Sequence, residues 1–272
     1  MRNNHPYVSV VVINDCSDGG TAMRQNTRIS ALTGLPIQFV GIGNYADLEG
    51  SGHIIDALDA FTDKPGIIVA NAAPRHGQGK KWPNGSPFCY FFVDKTLVVS
   101  TIQGSILGMV RKMKLATTIH VVDVPEVVEA MKKVGIVDEV TVKRIVNSQF
   151  RSFDFEPRLV SMIIEGHEVP SHPTPIEELS PGSIDGTVWH VDNFGNCKTT
   201  ILPEDIGFEP GKTMQTKFGD FPCYERLKDV PNDTAALTIG SSGFKSMRLV
   251  EFIIQGKSAA QKYGVKTADK LI

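Results

Sequence analysis

Five short stretches carry residue types able to do chemistry. Asp15 ends the apolar run of "VVVINDCSDGG". A carboxylate at the end of a buried strand can accept hydrogen bonds from two ribose hydroxyls. The competing assignment is an Asx-turn or a helix N-cap. "NAAPRHGQGKK", residues 71–81, follows a second apolar run. Its Arg75, His76, Lys80 and Lys81 can meet a carboxylate or a phosphate, or can form a solvated loop. The GxxxxGK[ST] spacing of a P-loop is absent, and a lysine follows Lys80 where a metal-binding hydroxyl would be needed.

"QFRSFDFEP", residues 149–157, sets Phe150, Arg151 and Ser152 among further aromatic rings. This company suits a planar heterocycle bearing a charged group, or an arginine that is half of an ion pair. "HVDNFGNCKTT" places Asp192, Phe194 and Asn196 in a turn between strand-like pieces. Asn and Gly make turns, but a turn does not require a phenylalanine at its centre. An exposed Phe194 flanked by carboxylate and amide is a platform for a base. "TIGSSGFKS" reads as a Ser/Gly turn whose backbone N–H groups, at Ser241 and Ser242, can hold a carboxylate. Neither a Ser-His-Asp order nor HExxH occurs.

The elements that must position these residues fall into two textures. Val8–Ile13 is a β-branched run, as expected of a strand covered on both faces. Short strands at "QFVGIG", "IIVA" and "TIHVVDV" alternate with helical segments, one starting at residue 48 and ended by Pro65–Gly66, the other at residues 125–135. "FCYFFVDKTLVVST" predicts a hairpin turning at Asp94–Lys95. Further helices are expected near "SILGMVRKM" and "FEPRLVSMIIEG". Alternation of this kind predicts an α/β domain over 1–169 with a mostly parallel open sheet. Sites in such sheets form at the carboxyl ends of strands, where Asp15 and the basic loop fall. Residues 170–186 carry four prolines and few apolar residues, as expected of a linker. Six short strand-like pieces follow, predicting a small all-β, barrel-like domain over 187–272.

The bulk numbers set limits. The chain has 272 residues, a formal net charge of −2 and 41% hydrophobic content. The charge argues against nucleic acid as a partner. No apolar run reaches membrane-spanning length, so a cytoplasmic protein without a membrane partner is expected. Cys16, Cys89, Cys197 and Cys223 are scattered without a CxxC pair. This spacing argues against a zinc site and a disulfide framework, and no metal is expected.

"GTVWHVDNFGNCKTTI", "ALTIGSSGF" and "GKSAAQKYGVKTADKL" resemble, in order, the C-terminal motifs of the S-adenosylmethionine hydroxide adenosyltransferases, a family that includes fluorinases and chlorinases. "VVVINDCSD", the stretch from Leu48 to Gly77, "TIQGSIL" and "SQFRSFDFEP" resemble its N-terminal motifs with less detail. The resemblance implies that Asp15 binds the ribose hydroxyls, with Tyr45 beside the sugar. It implies that Asp192 meets the methionine amino group, that Phe194 and Asn196 contact adenine, and that Ser241 and Ser242 hold the methionine end. It also implies a homotrimer, with the ligand between one chain's N-domain and a neighbour's C-domain.

The departures concern the chemistry. Aligned on proline and glycine, Ala73, Lys80 and Arg151 stand where the hydrolytic members have an Asp-Arg-His set. Ser152 falls where a fluorinase has a halide-pocket serine. The candidate catalytic residues are therefore His76, Lys80, Arg151 and Ser152, and Phe150 joins the candidate binding residues. The expected activity is hydrolysis of S-adenosylmethionine to adenosine and L-methionine, without a cofactor. The alternatives are an adenosyl-binding protein without turnover, or a transferase using a halide or another anionic co-substrate.

Overall fold

The computed structural model describes residues 5–44, 46–72, 82, 85–179 and 183–272. Tyr45, Ala73, Arg75, His76, Lys80 and Lys81 lie outside the described residues. The chain divides into two compact units, Met1–Pro181 and Gly182–Ile272.

In the first unit the strands are β1 (Val10–Asn14), β2 (Ile37–Gly41), β3 (Ile67–Asn71), β4 (Phe88–Val93), β5 (Thr96–Thr101), β6 (Thr118–Val122) and β7 (His172–Pro175). Among the described residues they form one sheet in the order β2-β1-β3-β5-β4-β6-β7. The pairs β1–β2, β1–β3 and β3–β5 are parallel. The pairs of β4 with β5 and β6, and of β6 with β7, are antiparallel. The sheet is thus parallel on one side only. The predicted hairpin joins β4 to β5, with Asp94 in the left-handed region at φ 51°. β7 lies inside the proline-rich stretch expected to be a linker. It pairs on one side only, and an edge strand tolerates prolines because half of its N–H groups need no partner.

Helices cover both faces of this sheet. They are α1 (Gly19–Thr33), α2 (Asp47–Ala60), α3 (Gly108–Lys112), α4 (Val124–Lys133), α5 (Glu139–Val146), α6 (Arg151–Asp154) and α7 (Glu156–Ile164). Val10, Val12, Ile67, Val69, Leu97 and Val99 alternate along three strands and join one core with residues of α1, α4, α5 and α7. The intervening residues face α2. There Gly50 lets the helix approach, since a Cβ would fall 3.7 Å from Ile13 Cγ2 and 2.5 Å from Ile106 Cδ1. Asp18, Asp123 and Asp138 cap α1, α4 and α5 by accepting backbone N–H bonds.

The second unit carries β8 (Val188–Val191), β9 (Cys197–Thr199), β10 (Thr213–Thr216), β11 (Gly219–Tyr224), β12 (Ala235–Phe244), β13 (Met247–Ile254) and the short helix α8 (Ala259–Tyr263). These strands match the six expected pieces. They form a sheet in the order β10-β11-β12-β13-β9-β8. Phe221, Phe252 and Tyr263 pack as a ring cluster with centroids 4.6–5.3 Å apart. The Ser/Gly stretch is not a turn. It lies within β12, where the register with β13 shifts between Ile239 and Gly243. The reversal comes later, at Lys245, whose φ is 54°. All four cysteines are free thiols. No helix among the described residues is long and apolar enough to cross a membrane.

Candidate functional site

In the first unit the strand order 2-1-3 makes the ends of β1 and β3 a topological switch point, where open α/β sheets bind ligands. Polar residues are buried there at a density that needs explanation, because burying a polar group is costly unless it is paired. Asn14 is fully buried; its amide N–H donates to Gln25 Oε1 at 2.5 Å. Its Oδ1 accepts from Asn71 Nδ2 at 3.1 Å and from Cys16 N at 2.8 Å. Thr101 Oγ1 accepts from Ala72 N at 3.2 Å, which ties the end of β5 to the chain leaving β3. Asp15 is 8% exposed, and its N–H donates to the Asn71 carbonyl at 3.2 Å. The two structural tasks that could have explained Asp15 fall to its neighbours. Asn14 makes the Asx-turn and Asp18 caps α1.

The 149–157 stretch forms α6 and the start of α7. Phe150 stacks on Phe153 at 5.4 Å, with the Arg24 guanidinium 5.2 Å from its centroid. Asp154 anchors the ion pairs here. Its carboxylate lies 3.9 Å from Arg28 and 3.7 Å from Arg144, and accepts from Ser148 Oγ at 2.6 Å. Arg151 has a different setting. Its Cζ sits 5.5 Å from the Phe88 ring centroid, and Gly85 packs so closely that a Cβ there would lie 2.1 Å from Arg151 Nη2. Because β4 runs antiparallel to β5, Phe88 pairs with Thr101. Arg151 and the buried Ser152 are therefore on the side of the sheet edge where β1, β3 and β5 end.

One residue here was missed by sequence reasoning. Glu156 is fully buried, and among the described residues neither carboxyl oxygen has a hydrogen-bond partner. Burial holds its pKa well above the usual carboxylate range, opposed by the Arg151 charge. Burial likewise pushes the Cys89 thiol up, with Glu156 adding to the effect. In the sequence, a glutamate before a proline signals only a first helical turn. Its apolar neighbours Phe155, Leu159 and Val160 were the available clue.

In the second unit the turn between β8 and β9 is built by Asp192. Its Oδ1 accepts from Phe194 N and Asn196 N at 2.9 Å each, and its Oδ2 accepts from Asn196 Nδ2 at 3.0 Å. The carboxylate thus rigidifies the turn and presents Phe194, which is 71% exposed. Phe194 and Asn196 line a concavity of about 460 Å³ with Leu227, Ile254, Gln255 and Lys257. This volume suits a small organic ligand. Apolar faces from Phe194, Leu227 and Ile254 sit beside the amides of Asn196 and Gln255, a set matching an aromatic base with a hydrogen-bonding edge. Leu227 and Gln255 carry no sequence signal of their own.

Gly195 fixes this turn at φ 81°, and a Cβ there would fall 1.9 Å from Ser258 Oγ. Ser258 caps α8 by accepting from Gln261 N at 3.0 Å. Gly195→Ala is expected to lower stability by about 2 kcal/mol, from left-handed strain and a displaced cap. Its urea midpoint should fall, whereas Gly207→Ala, at a positive φ with open space around it, should fall less.

Ser241 and Ser242 are not among the residues lining this concavity. Ser242 is buried, and its Oγ accepts from Lys198 Nζ at 2.8 Å. Lys198 also pairs with Glu251 at 3.0 Å. Ser241 is exposed, and its carbonyl accepts from Arg248 at 3.0 Å. Burial pushes the Cys197 thiol up to about 12, so it is inert at neutral pH.

Comparison with known proteins agrees with this second unit. Residues 186–272 match the model of the SAM hydroxide adenosyltransferase C-terminal domain. No curated protein matches the chain. Two crystal structures are similar in fold over nearly the whole chain. One, described as an uncharacterized conserved protein from Thermotoga maritima, has a TM-score of 0.67 at 14% identity, covering 96% of this chain and 98% of that one. The other, a conserved hypothetical protein from Thermus thermophilus, has a TM-score of 0.61 at 15% identity, covering 97% and 100%.

Proposed function

We propose that the protein binds S-adenosylmethionine and catalyses displacement of methionine at the 5′ carbon by water. The observation that carries this reading is the concavity around Phe194 and Asn196, within the segment that matches the adenosyltransferase C-terminal domain. Adenine stacks on Phe194 and meets the Asn196 and Gln255 amides. Asp15 accepts from the ribose hydroxyls, and Tyr45 lies beside the sugar. Asp192 receives the methionine ammonium on a lone pair left by its turn, and the backbone N–H groups at Ser241 and Ser242, rather than the Ser242 hydroxyl that Lys198 occupies, hold the methionine end. The ligand lies between subunits of a homotrimer, one supplying the N-terminal residues and its neighbour the C-terminal ones.

The chemistry asks little of the protein. A water oxygen attacks the 5′ carbon as the C–S bond breaks, and the electron pair passes to sulfur. Sulfonium becomes a neutral thioether, and the water loses one proton to solvent or to His76. Catalysis then consists of aligning the water in line and excluding competing solvent. His76, Lys80, Arg151 and Ser152 perform this alignment, with Phe150 supporting them. A purified sample given S-adenosylmethionine should yield adenosine and methionine in equal amounts. Isotope from heavy-oxygen water should appear in the adenosine 5′ hydroxyl. Absence of both products above blank, with and without chloride, would overturn the reading.

A second reading, binding without turnover, is favoured by one observation. Arg151 stands where a proton acceptor is expected, and a guanidinium cannot act as a base at neutral pH. Tight binding with no product would select it.

A further inference from the structure

Three buried carboxamides surround the backbone at Asp15, where apolar side chains would fill the space without needing partners. Asn14 and Gln25 are fully buried and Asn71 is 6% exposed. They come from three elements, β1, α1 and β3. Asn14 needs no help to make the local turn, since its own Oδ1 accepts from Cys16 N at 2.8 Å. Asn71 nevertheless gives that oxygen a second donor at 3.1 Å. Gln25, on the second turn of α1, uses both ends of its amide. Its Oε1 accepts from Asn14 Nδ2 at 2.5 Å, and its Nε2 donates to the Cys16 carbonyl at 3.4 Å. The backbone is held at the same place. Asp15 N–H donates to the Asn71 carbonyl at 3.2 Å, and Ile42 N–H donates to the Asn14 carbonyl at 3.0 Å. Just beyond, Ser17 packs so closely on Gly41 that a Cβ there would lie 2.7 Å from Ser17 Cβ.

The peptides on both sides of Asp15 are therefore tied, one to β3 and the chain leaving β2, the other to the Asn14 carboxamide. A connected and satisfied polar network of this kind is rigid, so the direction of the Asp15 carboxylate is set before a ligand arrives. Such placement matters most for a group that must accept from two neighbouring hydroxyls at once. A carboxylate free to swing can meet one of them but loses the joint geometry. We infer that Gln25 and Asn71 are positioning residues, acting through Asn14 on Asp15, and that they make the site select adenosyl ligands with an intact ribose 2′,3′-diol over deoxyribose ones. The inference rests on Asp15 as the ribose acceptor of the proposed function. It assigns to a buried amide on α1, eleven residues along the chain from Asn14, a part in ligand selection.

Calorimetric titration of the full chain with adenosine, 2′-deoxyadenosine and 3′-deoxyadenosine separates this role from a structural one. The wild type should bind adenosine about tenfold more tightly than either deoxynucleoside, as expected for one hydrogen bond to a charged acceptor. Asp15→Asn sets the reference for losing that acceptor. In Gln25→Met, which keeps the volume and removes the amide, the ratio should fall toward one while deoxynucleoside affinity stays near the wild-type value. Asn71→Ala keeps the backbone carbonyl that Asp15 uses and removes only the side-chain donor. It should lose the ratio too, and it carries the test should Gln25→Met fail to fold. If the variants bind all three nucleosides more weakly by one common factor, the network is structural only and the inference is overturned. A wild type that binds all three equally would overturn the ribose role of Asp15, and the inference with it. A wild type that binds none of them would overturn the proposed function itself.

Discussion

Glu251→Ala lowers stability by about 3 kcal/mol, the low end of what breaking a buried ion pair costs. Lys198 and Glu251 face each other at 3.0 Å across β9 and β13, with side chains 15% and 11% exposed. Removing the carboxylate leaves the ammonium, among the described residues, with the Ser242 hydroxyl as its hydrogen-bond partner, in a site with little exposure to water. Gly240 shows how tightly the carboxylate is placed, since a Cβ there would lie 2.4 Å from Glu251 Oε1. The double change Lys198→Met with Glu251→Leu should recover most of the loss, because it removes both charges and the penalty of burying them. Urea unfolding of the three variants checks this. Recovery identifies the loss in Glu251→Ala as the cost of a buried Lys198 charge left without its partner. A double variant no more stable than Glu251→Ala would refute it.

Glu156→Gln stabilises the protein by an amount that grows with pH. Burial raises the Glu156 pKa in the folded state, while the unfolded chain titrates near the ordinary value of about 4.3. Between those two values the native state holds a proton that the unfolded state has released. Stability therefore falls as pH rises through this window, by about 1.4 kcal/mol per unit, and levels off above the folded pKa. Glutamine keeps the neutral shape and removes the slope. Thermal unfolding of both proteins from pH 4 upward (roughly the unfolded value) should give curves that coincide at the acid end and then diverge. Parallel curves would show that Glu156 is ionised in the folded protein.

Much of the fold was legible because its signals are local. The β-branched runs of β1 and β3 and the Asp94–Lys95 reversal need only their own residues to be read. The six short strands of the second unit are likewise bounded by their own turn residues. The edge of the first sheet's antiparallel half, β7, was not legible in the same way. β7 contains two prolines in four residues, and only its place at a sheet edge makes that pattern compatible with a strand. The Ser/Gly stretch misled for a related reason. Gly and Ser favour turns, yet here Gly240 makes room for a buried carboxylate and Gly243, at φ 140°, packs against the Met247 carbonyl. Neither neighbour can be seen from the local sequence. At the candidate site, Phe194 stood out as an aromatic residue in a turn. Glu156 did not, because a glutamate before a proline reads as an exposed first helical turn, and only the packing of α7 against α1 and α6 buries it.

The central claim is that the concavity around Phe194 receives an adenosyl ligand. Calorimetric titration of S-adenosylmethionine into the wild type and Phe194→Ala tests it most directly. Phe194 is mostly exposed, so its loss should leave the fold intact. The account predicts saturable binding to the wild type, weakened about tenfold to a hundredfold by the substitution, as expected for a lost base-stacking contact. Equal affinity in the two proteins, or no binding to the wild type, would contradict it.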